Sequence, residues 1–209
     1  MALGCGGAAV APKPETPPKT APTATTTVAP VSTPAPFTGA FDLVSVNGPN
    51  GSVVIADVFK KALAVAGEMS WGLGADSFSV GLWQITRPHP TAEGETDTLY
   101  SFCRAAATVS AHWEGMTLVL ASTVQADGAG VAMRVQKKVE GPKTTRRTTD
   151  TSAGCSASCT RLRMTFEVLE KDADGPTRLR AKSEDGQVEL VRGKPIGSIE
   201  PKPILDALP

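Results

Sequence analysis

The sequence predicts a mainly β domain: an antiparallel meander that closes into a small barrel or sandwich, with one short helix after the first strand. Three observations lead there. From residue 78 to 190, apolar residues recur at every second position in one segment after another. That is the period of a strand burying one face. Turn-forming clusters such as Asn47-Gly48-Pro49-Asn50-Gly51, Glu114-Gly115 and Asp185-Gly186 punctuate the chain. Helical periodicity is confined to one stretch, which leaves about eight strands at short spacing, and closing such a meander removes its exposed edges.

The elements follow in order. Residues 39–46 read as a strand with Phe41, Leu43 and Ser45 on one face and Val44 and Val46 on the other. Ile55, Val58, Phe59, Ala62, Leu63 and Ala66 then keep helical spacing, which predicts a helix over 55–66 stopped by Gly67. Beyond it the period is two. Phe78, Val80 and Leu82 share a face, and Trp83 and Ile85 take the other, until Pro88 and Pro90 break the run around His89. Leu99, Cys103, Ala105, Ala107, Val109, Ala111 and Trp113 share one parity, and Met116, Leu118 and Leu120 follow the next turn. Val131, Met133, Val135 and Val139 alternate with polar residues, as do Leu162, Met164, Phe166 and Val168. Leu179 and Ala181 lie opposite Arg178, Arg180 and Lys182, and Asp185-Gly186 turns the chain into Val188 and Leu190.

Three regions are expected: a Pro/Thr/Ala-rich tether over 1–36, one β-rich domain over 37–195, and a Pro-rich tail over 196–209. Residues 6–36 hold eight prolines and seven threonines, with no Leu, Ile or aromatic residue. Such a segment buries too little apolar surface to order itself, and its prolines favour extended conformations at roughly 3 Å per residue. The remainder is long enough for one ordinary core.

Leu3-Gly4-Cys5-Gly6 resembles the end of a bacterial lipoprotein signal peptide, with the tract behind Cys5 resembling the tether of such proteins. The resemblance implies that Cys5 becomes the lipidated first residue of the mature chain, and that the rest of the leader precedes Met1. It also implies attachment to a membrane through that lipid. The address is then the bacterial cell envelope, as an outer-membrane lipoprotein facing the periplasm or the cell surface. Separately, Gly39-x-Phe41-x-Leu43-x-Ser45-Val46-Asn47-Gly48 resembles the first strand of bacterial lipocalin-like domains. That resemblance covers about ten residues and implies an up-and-down barrel around a small apolar ligand. It transfers no binding residue.

With Cys5 lipidated, Cys103, Cys155 and Cys159 remain, and an oxidising envelope favours one disulfide among them. Cys103 shares the inward parity of Ala105 and Val109. Its expected partner is Cys159, which abuts the strand after it, or alternatively Cys155; a local bridge between Cys155 and Cys159 is the rival. Zinc lacks ligands, because only His89 and His112 accompany the cysteines.

No hydrolase, zinc-protease or nucleotide-loop motif is present, so no catalytic residue, metal or cofactor is assigned. Lys+Arg and Asp+Glu both number 21, which argues against nucleic acid as a partner. Locally, Lys137, Lys138, Lys143, Arg146 and Arg147 fall in one stretch among threonines. They read as a mobile basic loop suited to an anionic envelope polymer, an anionic lipid surface or an acidic protein partner. The functional expectation is a non-catalytic, envelope-tethered lipoprotein whose β-domain binds a small apolar ligand or a protein partner. A structural or assembly component of a cell-envelope complex is the alternative, and an envelope enzyme the third. Small inward residues Ala105, Ala107 and Ala111 would suit a ligand-holding lumen or, equally, close strand approach.

Overall fold

The computed structural model describes residues 2–3, 33–87, 97–138, 141–150 and 155–194, with 2–3, 97, 133–138 and 141–150 described by backbone alone. Cys5 and the tether before Thr33, the segment around His89, and the tail lie outside the described residues. The elements are β1 (Ala2–Leu3), β2 (Gly39–Gly48), β3 (Gly51–Val54), α1 (Ile55–Lys61), β4 (Ala64–Leu73), β5 (Ser77–Thr86) and β6 (Asp97–Glu114). There follow β7 (Thr117–Leu120), β8 (Val124–Asp127), β9 (Ala129–Lys138), β10 (Gly141–Asp150), β11 (Ser156–Cys159), β12 (Arg163–Asp172), β13 (Gly175–Ser183) and β14 (Gly186–Arg192).

The fold is mainly β, and its antiparallel meander closes into a ring. Pairing runs β2–β4–β5–β6–β7–β12–β13–β14 and returns to β2. β6 is the longest strand, at 18 residues. Its second half belongs to the ring through β7, and its first half extends past the ring to pair with β9, which pairs with β10. A second small sheet, β1–β11–β8, packs against β5 and β6.

Alternation puts one side chain in two inside the ring. Phe41, Trp71, Phe78, Leu118, Met164, Leu179, Leu190 and Trp113 are all at most 2% exposed and form the core. Ile55 and Phe59 of α1 enter it from one end, and Val124, Ala126, Ala157 and Cys159 fill it from the small sheet. Ala105 and Ala111 are buried in this packed interior, where their size admits close neighbours. At the other end Thr33 bridges Trp113, and Phe37 sets its ring edge-on to Phe41, Trp113 and Phe166.

Several local expectations need correction. The helix ends at Lys61, not near Ala66. Leu63 turns the chain with φ 57, stands 45% exposed, and hands Ala64 onward to the ladder with β5. Gly67 is a strand residue; a Cβ there would meet the Phe59 ring at 2.9 Å, so its function is to make room for that ring. In β2 a register shift opposite Glu189/Leu190 leaves Val44 as the extra residue, and Val46 rather than Ser45 packs on the core. In β6 Leu99 is exposed, while Tyr100 and Phe102 are buried beside Ile85 and Trp83 on the outer face. The strand has left the ring there, so its inner side no longer has a core to meet. Leu162 and Val168 are exposed at either end of the buried pair Met164 and Phe166.

The disulfide joins Cys103 to Cys155, the second of its two expected partners, in place of Cys159. Residues 156–159 form β11 instead of bending freely, and β11 holds Cys159 in the core opposite Val124. Cys155 sits just before β11, where its carbonyl accepts a hydrogen bond from Gly128 N–H at 2.7 Å. A Cβ at Gly128 would fall on both sulfurs, so only glycine lets the bridge cross this point.

Candidate functional site

The basic segment is not a loop. Its residues form the β9–β10 hairpin: Arg147 pairs with Met133, Arg146 with Arg134, and Pro142 with Lys137. The ladder explains why: threonines between the cations suit a strand, and β9 supplies the partner. Lys137 and Lys138 end β9, and Lys143, Arg146 and Arg147 lie along β10, the last strand of the sheet order. Their side chains lie outside the described residues. An edge strand carrying proline and cations also resists pairing with other chains.

The hairpin runs out from the end of the ring where β5 finishes and β4 and β6 begin. That corner also holds α1 and β3. Among the described residues eight large apolar side chains are exposed, and five of them (Val53, Val54, Leu63, Val65 and Leu99) are found here. Lys60 and Lys61 close α1 beside them, and Arg87 N–H bonds Leu63 O at 3.2 Å. Sequence reasoning placed Leu63 and Leu99 in the core and so missed the patch. The bulge at Val65 and the left-handed turn at Leu63 bring those two side chains to the surface, and neither has a sequence signature.

Two further features lie on the outer wall. Across β12, β13 and β14 the alternating charges form an ion ladder: Arg178 and Arg180 each reach Glu189 at 3.0 Å, and Lys182 reaches Glu167 at 3.0 Å. Hydrogen bonds from Arg180 and Arg178 hold the Glu189 carboxyl below its ordinary range.

On β2 and β4, by contrast, Asp42 faces Glu68. Burial first, then the hydrogen bond and charge of Glu68, push the Asp42 carboxyl up from 3.8 to about 7. Beside this pair a shallow groove of about 420 Å³ is lined by small residues including Gly72, Ser79 and Gly81. Because folding raises the affinity of Asp42 for its proton, the folded chain holds more protons than the unfolded one between pH 3.8 and about 7. Stability therefore falls as pH rises through that window, and the penalty is complete above it. Asp42→Asn should flatten this slope and add about 1–2 kcal/mol at pH 8, after discounting for the solvent that still reaches the group. Urea denaturation at pH 5 and pH 8 checks it; an equal loss at both values would refute the burial argument.

Cys5 lies outside the described residues, so the structure brings it to no site; the buried disulfide lies at the root of the β9–β10 hairpin, where Cys103 pairs with Gly130. No family model, no curated protein and no solved structure matches the chain.

Proposed function

We propose that this protein is a non-catalytic lipoprotein, tethered to the bacterial envelope through Cys5, whose domain works through its outer surface by docking on an anionic lipid face. The observation that carries the reading is the corner where Val53, Val54, Leu63, Val65 and Leu99 stand exposed beside Lys60 and Lys61 and the basic β9–β10 hairpin. Exposed apolar side chains next to lysines, with a cation-rich hairpin extending from the same end of the ring, suit an interface of headgroups over acyl chains. The filled interior favours this outer-surface mode over carriage of an apolar ligand in a lumen. The tether enters at Thr33, at the opposite end of the ring. The number of residues between Cys5 and Thr33 sets an upper reach, at most about 3.3–3.6 Å for each, that exceeds the length of the ring strands, so a lipid anchor does not keep the corner from the surface. In the lipidated form residues 1–4 leave with the leader, and the two-residue pairing of β1 with β11 leaves with them.

Co-sedimentation with vesicles, with and without anionic lipid, tests the reading on protein lacking the lipid. Binding is expected only to anionic vesicles and should weaken steadily with salt. Lys60→Ala with Lys61→Ala should weaken it by about 2 kcal/mol, roughly thirtyfold. Binding that ignores salt, or is equal on neutral vesicles, refutes the docking surface.

A further inference from the structure

We propose that the cleft beside Arg161 is a binding site for a phosphate-type oxyanion, carried by a soluble ester or by a lipid headgroup, with the Arg161 guanidinium as its main donor. The inference is independent of the membrane-docking corner.

Arg161 follows β11, two residues after Cys159, and like Ala157 and Cys159 it is buried. It is 3% exposed, yet Nε and both terminal nitrogens have no hydrogen-bond partner. Arginine does not escape burial by shedding its charge, so an enclosed guanidinium with no acceptor is among the costliest groups a fold can keep. The backbone around it is held in place, since Leu120 N–H bonds Leu162 O at 2.7 Å across β7.

Arg161 also lines a cleft of about 710 Å³ between the start of β12 and the β13–β14 turn. The other cations on that cleft already have acceptors: Arg163 reaches Glu114 at 2.6 Å, and Lys182 reaches Glu167 at 3.0 Å. Arg161 alone among these three lacks one. Glu184 and Asp185 also line the cleft, but neither bonds the guanidinium. A planar fork of donors fits two oxygens of one phosphate, and in a site shielded from water such bonds are strong. Glu184 and Asp185 leave room for a singly charged ester more readily than for a dianion.

Calorimetric titration of the full chain with inorganic phosphate at pH 6, in chloride buffer, tests the site. Phosphate should bind, and Arg161→Met should weaken it at least about tenfold. Arg161→Lys, which keeps the charge without the fork, should fall between the two. Unchanged near-ultraviolet dichroism shows that each variant is folded, and Arg161→Lys decides the matter should Arg161→Met fail to fold. Absence of phosphate binding to the parent protein, or binding by the folded variants as tight as the parent's, overturns the proposal. Competition separates the sources. Phosphate that displaces the protein from phosphatidylglycerol vesicles in an Arg161-dependent way assigns a headgroup, whereas vesicle binding untouched by Arg161→Met assigns a soluble ester. Loss of vesicle binding in the Lys60/Lys61 variant with phosphate binding intact would separate this site from the docking corner.

Discussion

Replacing Trp113 with alanine should lower stability by about 3–5 kcal/mol, the range for removing a fully buried large aromatic side chain. Trp113 is 0% exposed. Its indole N–H donates to Gly74 O at 2.9 Å, tying β6 to the β4–β5 turn. Phe37 and Phe166 pack on it with ring centroids 5.3 and 5.6 Å away. Its carbonyl accepts from Thr33 through both the backbone N–H and the hydroxyl. Truncation opens a cavity, orphans the Gly74 carbonyl and loosens the chain where it enters the domain. Urea titration followed by far-ultraviolet dichroism measures the loss, and Trp113→Phe should recover much of it. A midpoint for Trp113→Ala within error of the parent would show that the aromatic cluster is not a structural centre.

Breaking the Cys103–Cys155 bridge should cost about 4 kcal/mol, because the crosslink closes a loop with a sequence separation of 52 and restrains the unfolded chain. The effect is expected in the double variant Cys103→Ala/Cys155→Ala and in the reduced parent alike. Both sulfurs lie against Gly128, so the reduced pair retains its packing and the loss is mainly one of unfolded-state entropy. Denaturation midpoints measured with and without reductant decide it. Equal midpoints would refute the unfolded-state entropy account.

The strands were legible because alternation is a local signal. Leu179 and Ala181 against Arg178, Arg180 and Lys182 could be assigned to two faces from their order alone, and the ion ladder follows from it. Alternation failed where a face had no fixed neighbour. Leu99 keeps the parity of Cys103, but β6 has left the ring there, and burial passes to Tyr100 and Phe102. The helical stripe through Leu63 and Ala66 failed for a related reason: pairing with β5 outweighs the propensity of three or four residues at a helix end.

By itself, then, the sequence determined the β class, the inward faces of ring strands such as β5, β12 and β13, the presence of a single short helix, and the involvement of Cys103 in a bridge. Those rest on periods and turn residues that neighbouring positions carry. The sequence did not show β4, whose first residues carry the helical stripe. Tertiary structure decided which cysteine lay within reach, because a glycine 25 residues from Cys103 leaves the gap the sulfurs cross. It also turned the basic stretch into a hairpin, gathered an apolar corner around α1, and left Arg161 enclosed without an acceptor. Each of these depends on what distant strands bring alongside, and no local pattern of residues records that.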